Sequence, residues 1–171
     1  MLTLQKKVCL LGDFAVGKTS LVRRFVYNLF DDKYISTIGV KVSRKTVSLP
    51  VSNDIASVTM MLWDLAGSEE FSQMRASYLR GAAGAVLVCD LTRPETFEHL
   101  QIYINDLRKI SPDAQFLLAG NKNDLIEQHR VSHKHIEDFA ARWAIPYRLT
   151  SAKTGDDVEA LFRVLGNMLV R

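Results

Sequence analysis

The chain has 171 residues, 47% hydrophobic and 24% charged, the balance of an ordinary globular protein rather than a disordered or fibrous one. That length suits one domain, spanning 1–171, with a substantial buried core. The formal charge of +3 is mild; no basic run is long enough to suggest nucleic acid, and no apolar run approaches the ~20 residues of a membrane span.

The first strand is predicted over residues 3–11, ending in Val8-Cys9-Leu10-Leu11. Lys6 and Lys7 interrupt the segment before that run, so no secretory signal core is expected. Residues 12–19 read Gly-Asp-Phe-Ala-Val-Gly-Lys-Thr, which fits G-x-x-x-x-G-K-[ST], a phosphate-binding loop, in the strand-to-helix context that the motif requires. Gly12 and Gly17 permit a backbone path that turns N–H groups inward as an anion nest. The helix predicted over 18–28 carries Leu21, Val22, Phe25 and Val26 on one face and aims its partial positive end at the same place. Lys18 can reach terminal phosphates as a point charge, and the Thr19 hydroxyl can ligate magnesium. The expected phosphate-binding set is thus Gly12, Asp13, Phe14, Ala15, Val16, Gly17, Lys18, Thr19 and Ser20. Arg23 and Arg24 read as a solvated helix face, with contact to an acidic partner as the alternative.

Strands over 40–49 (Val40, Val42, Val47, Leu49) and 58–63 form an antiparallel hairpin with a longish loop at 50–54. A helix over 69–80 follows, in which Phe71, Met74, Tyr78 and Leu79 either form a partner-binding patch or pack down. The apolar run 85–89 is a buried strand. A helix over 95–110 is preceded by Pro94, which suits a first helical position, and has His99 facing solvent. Another buried strand covers 116–119. Ser132 caps a helix with Ile136, Phe139, Ala140 and Trp143 on one face, and 147–149 is a short last strand. Thr154-x-x-Asp157 opens a final helix as a capping-box variant, with Val158, Leu161, Phe162, Leu165, Met168 and Leu169 as its core stripe.

This alternation implies an α/β fold. The expectation is a three-layer, P-loop NTPase-type architecture, whose mostly parallel six-stranded sheet has one antiparallel strand and about five flanking helices. The chemistry-bearing segments all fall at the carboxyl ends of strands, where such sheets bind ligands. Cys9 and Cys89 read as small buried thiols rather than a disulfide. His129, His133 and His135 read as solvated side chains rather than a metal cluster. The chain ends Asn167-Met168-Leu169-Val170-Arg171 without a prenylation motif and has Leu2 where myristoylation needs glycine. No lipid anchor is therefore expected on it, and a cytoplasmic location is.

Asp64-Leu65-Ala66-Gly67 follows the 58–63 strand. An aspartate at a strand's carboxyl end can hold magnesium, and Gly67 lets a backbone N–H approach a terminal phosphate. Asn121-Lys122-Asn123-Asp124 follows the 116–119 strand. The two acceptors of Asp124 match the adjacent N1–H and exocyclic amine of guanine, whereas adenine would leave that carboxylate unpaired. Ser151-Ala152-Lys153, after the last strand, sits where a backbone N–H can meet the guanine O6.

With these motifs in order over essentially the whole chain, the sequence resembles the Ras superfamily of small GTPases. It is closest to the Rab branch, for which Trp63-Asp64-Leu65-Ala66-Gly67 and Thr37-Ile38-Gly39-Val40 are typical. The resemblance implies that Thr37 binds magnesium with Thr19 and Asp64 and senses the γ-phosphate, that Phe30 lies edge-on to guanine, and that Tyr34 closes over the phosphates. It implies that Asn121, Lys122 and Asp124 hold the base, supported by Ser151, Ala152 and Lys153. It also implies a monomer with two switch segments, about 32–40 and 66–78, that meets effectors, exchange factors and GTPase-activating proteins. Lys18, Thr37, Gly67 and residue 68 would carry hydrolysis of GTP to GDP.

Two departures stand out. The family usually places a water-orienting glutamine after Asp-x-x-Gly, and this chain has Ser68, too short for the same bridge. Phe14 stands where relatives have a small residue and would crowd an arginine finger or the attacking water. Both imply slow hydrolysis unaided, unless Glu69 or Gln73 substitutes locally. The rival readings are a GTP-bound interaction module that does not cycle and an ATP-using phosphotransferase, which the 121–124 motif argues against.

Overall fold

The protein is described here by a computed structural model covering residues 1–31, 39–65 and 72–171, with the backbone alone at 72–74. Tyr34, Thr37, Gly67, Ser68, Glu69 and Phe71, and the side chains of Gln73 and Met74, lie outside the described residues. Six strands form one sheet in the order β2-β3-β1-β4-β5-β6. They are β1 (Leu2–Leu11), β2 (Val40–Val51), β3 (Asp54–Leu65), β4 (Gly84–Asp90), β5 (Gln115–Asn121) and β6 (Tyr147–Leu149). β2 is antiparallel to β3 and every other pairing is parallel.

The sheet is covered on both sides, which is why β4 and most of β5 are unbroken apolar runs. α1 (Lys18–Tyr27) and α6 (Val158–Leu169) pack on one face with Phe25 stacked on Phe162 at 4.1 Å. On the other face lie α2 (Ser72–Leu79), α3 (Pro94–Glu98), α4 (Leu100–Ile110) and α5 (His133–Trp143), around Leu87, Leu100, Ile104 and Ile136. Cys9 and Cys89 are buried free thiols in this sheet, and burial pushes each up to about 12. Among the described residues no helix is long and apolar enough to cross a membrane.

Four local expectations change. The hairpin loop is short: the strands run on to Val51 and Asp54, leaving the two-residue turn Ser52-Asn53 with Ser52 at φ 45°. Pro50 fits inside β2 because that strand is the sheet edge. Val42 is 44% exposed while Val47 and Leu49 are buried, since even and odd positions of one strand face opposite ways. The helix expected over 95–110 is two, α3 and α4, meeting at His99, where the Ile102 N–H donates to the His99 carbonyl at the tighter three-residue spacing. Finally, α6 begins at Val158 after Asp157 at φ 58°. Thr154 forms no capping box: its hydroxyl accepts from the Asp156 N–H and its own N–H donates to Ser151 Oγ, tying up the preceding loop.

The sheet also determines where a ligand can sit. β1 lies between β3 and β4, and the chain leaves β1 for α1 on one face but leaves β4 for α3 and α4 on the other. The two connections diverge and open a crevice at the carboxyl end of β1.

Candidate functional site

The loop Gly12–Gly17 fills that crevice. A Cβ on Gly12 would stand 2.3 Å from the Val88 carbonyl oxygen, and one on Gly17 would stand 2.3 Å from Asn121 Nδ2. Only glycine allows either approach. Between them Ala15 holds φ 60°, a left-handed conformation that costs a non-glycine residue about 1 kcal/mol or more.

Every carbonyl of the loop has a protein donor. Lys18 Nζ donates to the Gly12 and Asp13 carbonyls at 2.7 and 2.9 Å. Arg93 donates to Phe14 O at 2.7 Å, Lys122 Nζ to Ala15 O at 3.0 Å and Asn121 Nδ2 to Val16 O at 2.9 Å. The Leu21 N–H takes Gly17 O at 2.9 Å. A loop whose carbonyls are all tied down has its amides to offer to an anion, at the N-terminus of α1 and beside an ammonium group. Ser20 continues the first turn of that helix. Phe14 is 51% exposed.

Next to the loop, Thr19 Oγ1 donates to Asp64 Oδ2 at 2.5 Å. The register of β1 with β3 sets Asp64 beside Leu10, and it is 2% exposed. A hydroxyl and a carboxylate brought together are hard oxygen donors, a set that fits Mg²⁺ better than a softer metal. Burial pushes the Lys18 ammonium down to about 8; the carboxylates of Asp64 and Asp13 offset part of that shift, and Arg93 adds to it.

On the other side, register pairs Asp90 with Asn121 at the ends of β4 and β5. Asn121 is 2% exposed and knits three loops. Besides its bond to Val16, its Oδ1 accepts from Thr150 Oγ1 at 3.1 Å and from the Ala152 N–H at 3.3 Å. Asp124 Oδ1 accepts from Ser151 Oγ at 2.7 Å. Arg24 belongs here rather than to a solvated face: its guanidinium donates to the carbonyls of Ala152 and Lys153 at 2.9 and 2.5 Å. Phe30 is half-buried and packs against the core under α1. Residues 12–20, Asp64, Asn121, Lys122, Asp124 and 151–153 are therefore gathered at one end of the sheet.

Several participants escaped the sequence reading. Asp13 accepts from Tyr103 OH at 2.7 Å, and its other oxygen lies 2.5 Å from Nδ1 of His99, which is exposed as expected yet makes this contact. Burial, together with the Asp13 contact, pushes the Tyr103 phenol up. Asp90, 1% exposed, binds Lys122 Nζ at 2.8 Å and Arg93 Nε at 3.1 Å. Burial alone would raise its carboxyl, but hydrogen bonds from Lys122 and Thr92 and the Lys122 charge outweigh that and hold it below its ordinary value. Asp90 carried a readable signal, since it closes an apolar strand as Asp64 does; Arg93 and Tyr103 carried none.

The family model described as Ras family matches residues 7–171. The GTP-binding protein ypt4 of Schizosaccharomyces pombe is 37% identical over 158 residues, 91% of this chain and 68% of that protein. The Ras-related protein RABD2b of Arabidopsis thaliana is 39% identical over 160 residues, 93% and 77% of the two chains. The Ras-related protein Rab-4 of Dictyostelium discoideum is 37% identical over 157 residues, 91% and 75%. With the G-x-x-x-x-G-K-T loop, Asp64 near the end of β3 and an Asn-Lys-x-Asp segment gathered in this fold, and with similarity along nearly its whole length, the chain belongs to the Ras family of small GTPases, on its Rab-like branch.

Proposed function

We propose that residues 1–171 form one domain acting as a monomeric guanine-nucleotide switch that binds GTP and GDP with Mg²⁺ and hydrolyses GTP slowly on its own. The observation that carries this reading is the bonding of the 12–17 loop to Asn121 and Lys122, which joins a phosphate cradle to a base-reading segment. In it, Lys18 and the loop amides hold the β- and γ-phosphates, while Asp124 accepts from guanine N1–H and the 2-amine. Water attacks the γ-phosphorus, the bond to the β-phosphate bridging oxygen breaks, and GDP and phosphate result. The positive charge of Lys18 and the loop amides stabilise the charge that builds on the phosphate oxygens. Thr19, Thr37 and Asp64 would hold Mg²⁺, which when bound neutralises phosphate charge.

Ser68 has no reach to orient that water, and Phe14, an exposed ring on the loop, crowds the side from which water or a trans arginine approaches. The unaided single-turnover rate is expected at or below about 10⁻⁴ s⁻¹, and Ser68→Gln is expected to raise it about tenfold. A brisk wild-type rate, or no gain in the variant, contradicts the slow-hydrolysis reading. Phe14 also keeps open a GTP-bound module that does not cycle: chromatography of nucleotide released from freshly purified protein shows mainly GTP in that case and mainly GDP if the chain cycles.

Partners of the effector, exchange-factor and GTPase-activating kinds are assigned to segments near 32–40 and 66–78. An apolar band beside those segments supports this. Val42 is exposed on β2, and Trp63 lies 6.2 Å from Tyr78 with Lys7 Nζ 3.8 Å above its ring. Such a band suits a protein surface with an apolar centre and a basic edge.

A further inference from the structure

Ala15 is the strained residue of the phosphate loop, and both peptide planes that define its conformation are gripped from outside. The plane before it presents Phe14 O to Arg93, and the plane after it presents Ala15 O to Lys122. Both cations converge on one oxygen of Asp90, at 3.1 and 2.8 Å. The other carboxylate oxygen accepts from the Thr92 N–H and Oγ1 at 2.8 and 2.6 Å. The platform is stiff. Thr96, fully buried, donates to Arg93 O at 2.8 Å and accepts from the Asp90 N–H at 2.9 Å, locking the turn that carries the guanidinium.

We infer that Arg93, anchored by Asp90, is a positioning residue that holds Ala15 in the left-handed conformation and so keeps the phosphate loop in its binding shape. Lys122 has a task in the Asn-Lys-x-Asp segment already; nothing else explains an arginine that reaches across 79 residues of sequence to a loop carbonyl. Loss of Arg93 frees the peptide plane before Ala15, which then relaxes toward ordinary φ and spoils the phosphate cradle without touching the base pocket.

This inference rests on reading the loop as a guanine-nucleotide phosphate site, and fluorescently labelled GDP and GMP test both with Mg²⁺ present. Wild-type protein that fails to bind labelled GDP overturns the site reading and this inference with it. If wild type binds, Arg93→Met is expected to weaken GDP about tenfold and GMP, with one phosphate and the same base, far less. Ala15→Gly in the Arg93→Met background is expected to recover most of the GDP affinity, because glycine needs no clamp at positive φ. A merely structural role lowers the melting temperature but leaves the GDP-to-GMP ratio unchanged. That result, or a failure of Ala15→Gly to rescue, overturns the inference alone.

Discussion

Asp90 shows how one carboxylate can organise the loops of the candidate site. It is buried, accepts from four donors and balances two cations. Replacing it by asparagine takes the counter-charge from Lys122 and Arg93, which are about one third exposed and keep their bonds to the 12–17 loop, and costs about 1–3 kcal/mol. Its protonation has the same consequence at low pH. The folded carboxyl titrates below its ordinary value of 3.8, so between the two values the unfolded chain binds more protons. The stabilisation is complete above about pH 4 and is lost as pH falls through the folded value. Urea unfolding of wild type and Asp90→Asn is therefore expected to converge only as pH falls below about 4, with the variant much the weaker at pH 7. Parallel curves would show that Asp90 is not the acid-sensitive group.

At the scale of the elements, the clearest sequence signals were those written in neighbouring residues. The Ser132 cap of α5 is one: the His135 N–H donates to Ser132 Oγ at 3.1 Å. Ser132→Ala is expected to cost about 1 kcal/mol and to lower the melting temperature by roughly 2–4 °C. An unchanged thermal transition would mean that water replaces the cap. Thr154-x-x-Asp157 looked equivalent and is not, because the Thr154 hydroxyl already accepts from the Asp156 N–H and the chain turns through Asp157 at φ 58° before α6 starts. The same limit hid the break at His99. At that residue the N–H keeps its helical bond to Glu95 while its carbonyl pairs at the tighter spacing with Ile102, and its ring meets Asp13, a contact 86 residues away in sequence that no local pattern encodes. Arg24 was misread for this reason too: charge and helix position suggest solvent, whereas its partners come from the loop after β6.

For the molecule as a whole, strand and helix periodicity sufficed for six strands, the one antiparallel pairing and the two-faced covering, because each depends on which side of an element is apolar. The 12–19 motif and the aspartates near the ends of β3 and β4 stand out in sequence as well, and the fold gathers them at one end of the sheet. What could not be read was the scaffold behind them, the tethers from Arg93, Tyr103 and Arg24, since these are contacts between distant loops that only the assembled sheet brings together. The scaffold matters because it joins the 12–17 loop to the 121–124 segment, proposed to hold phosphates and base, and base choice is therefore the most direct test of the proposed function. Equilibrium binding of GDP, IDP and ADP to the purified chain with Mg²⁺ measures it. GDP is expected to bind about a thousandfold or more tighter than ADP, with IDP, which keeps N1–H but lacks the 2-amine, about ten- to a hundredfold weaker than GDP. ADP binding as tightly as GDP would contradict a guanine site built on Asp124.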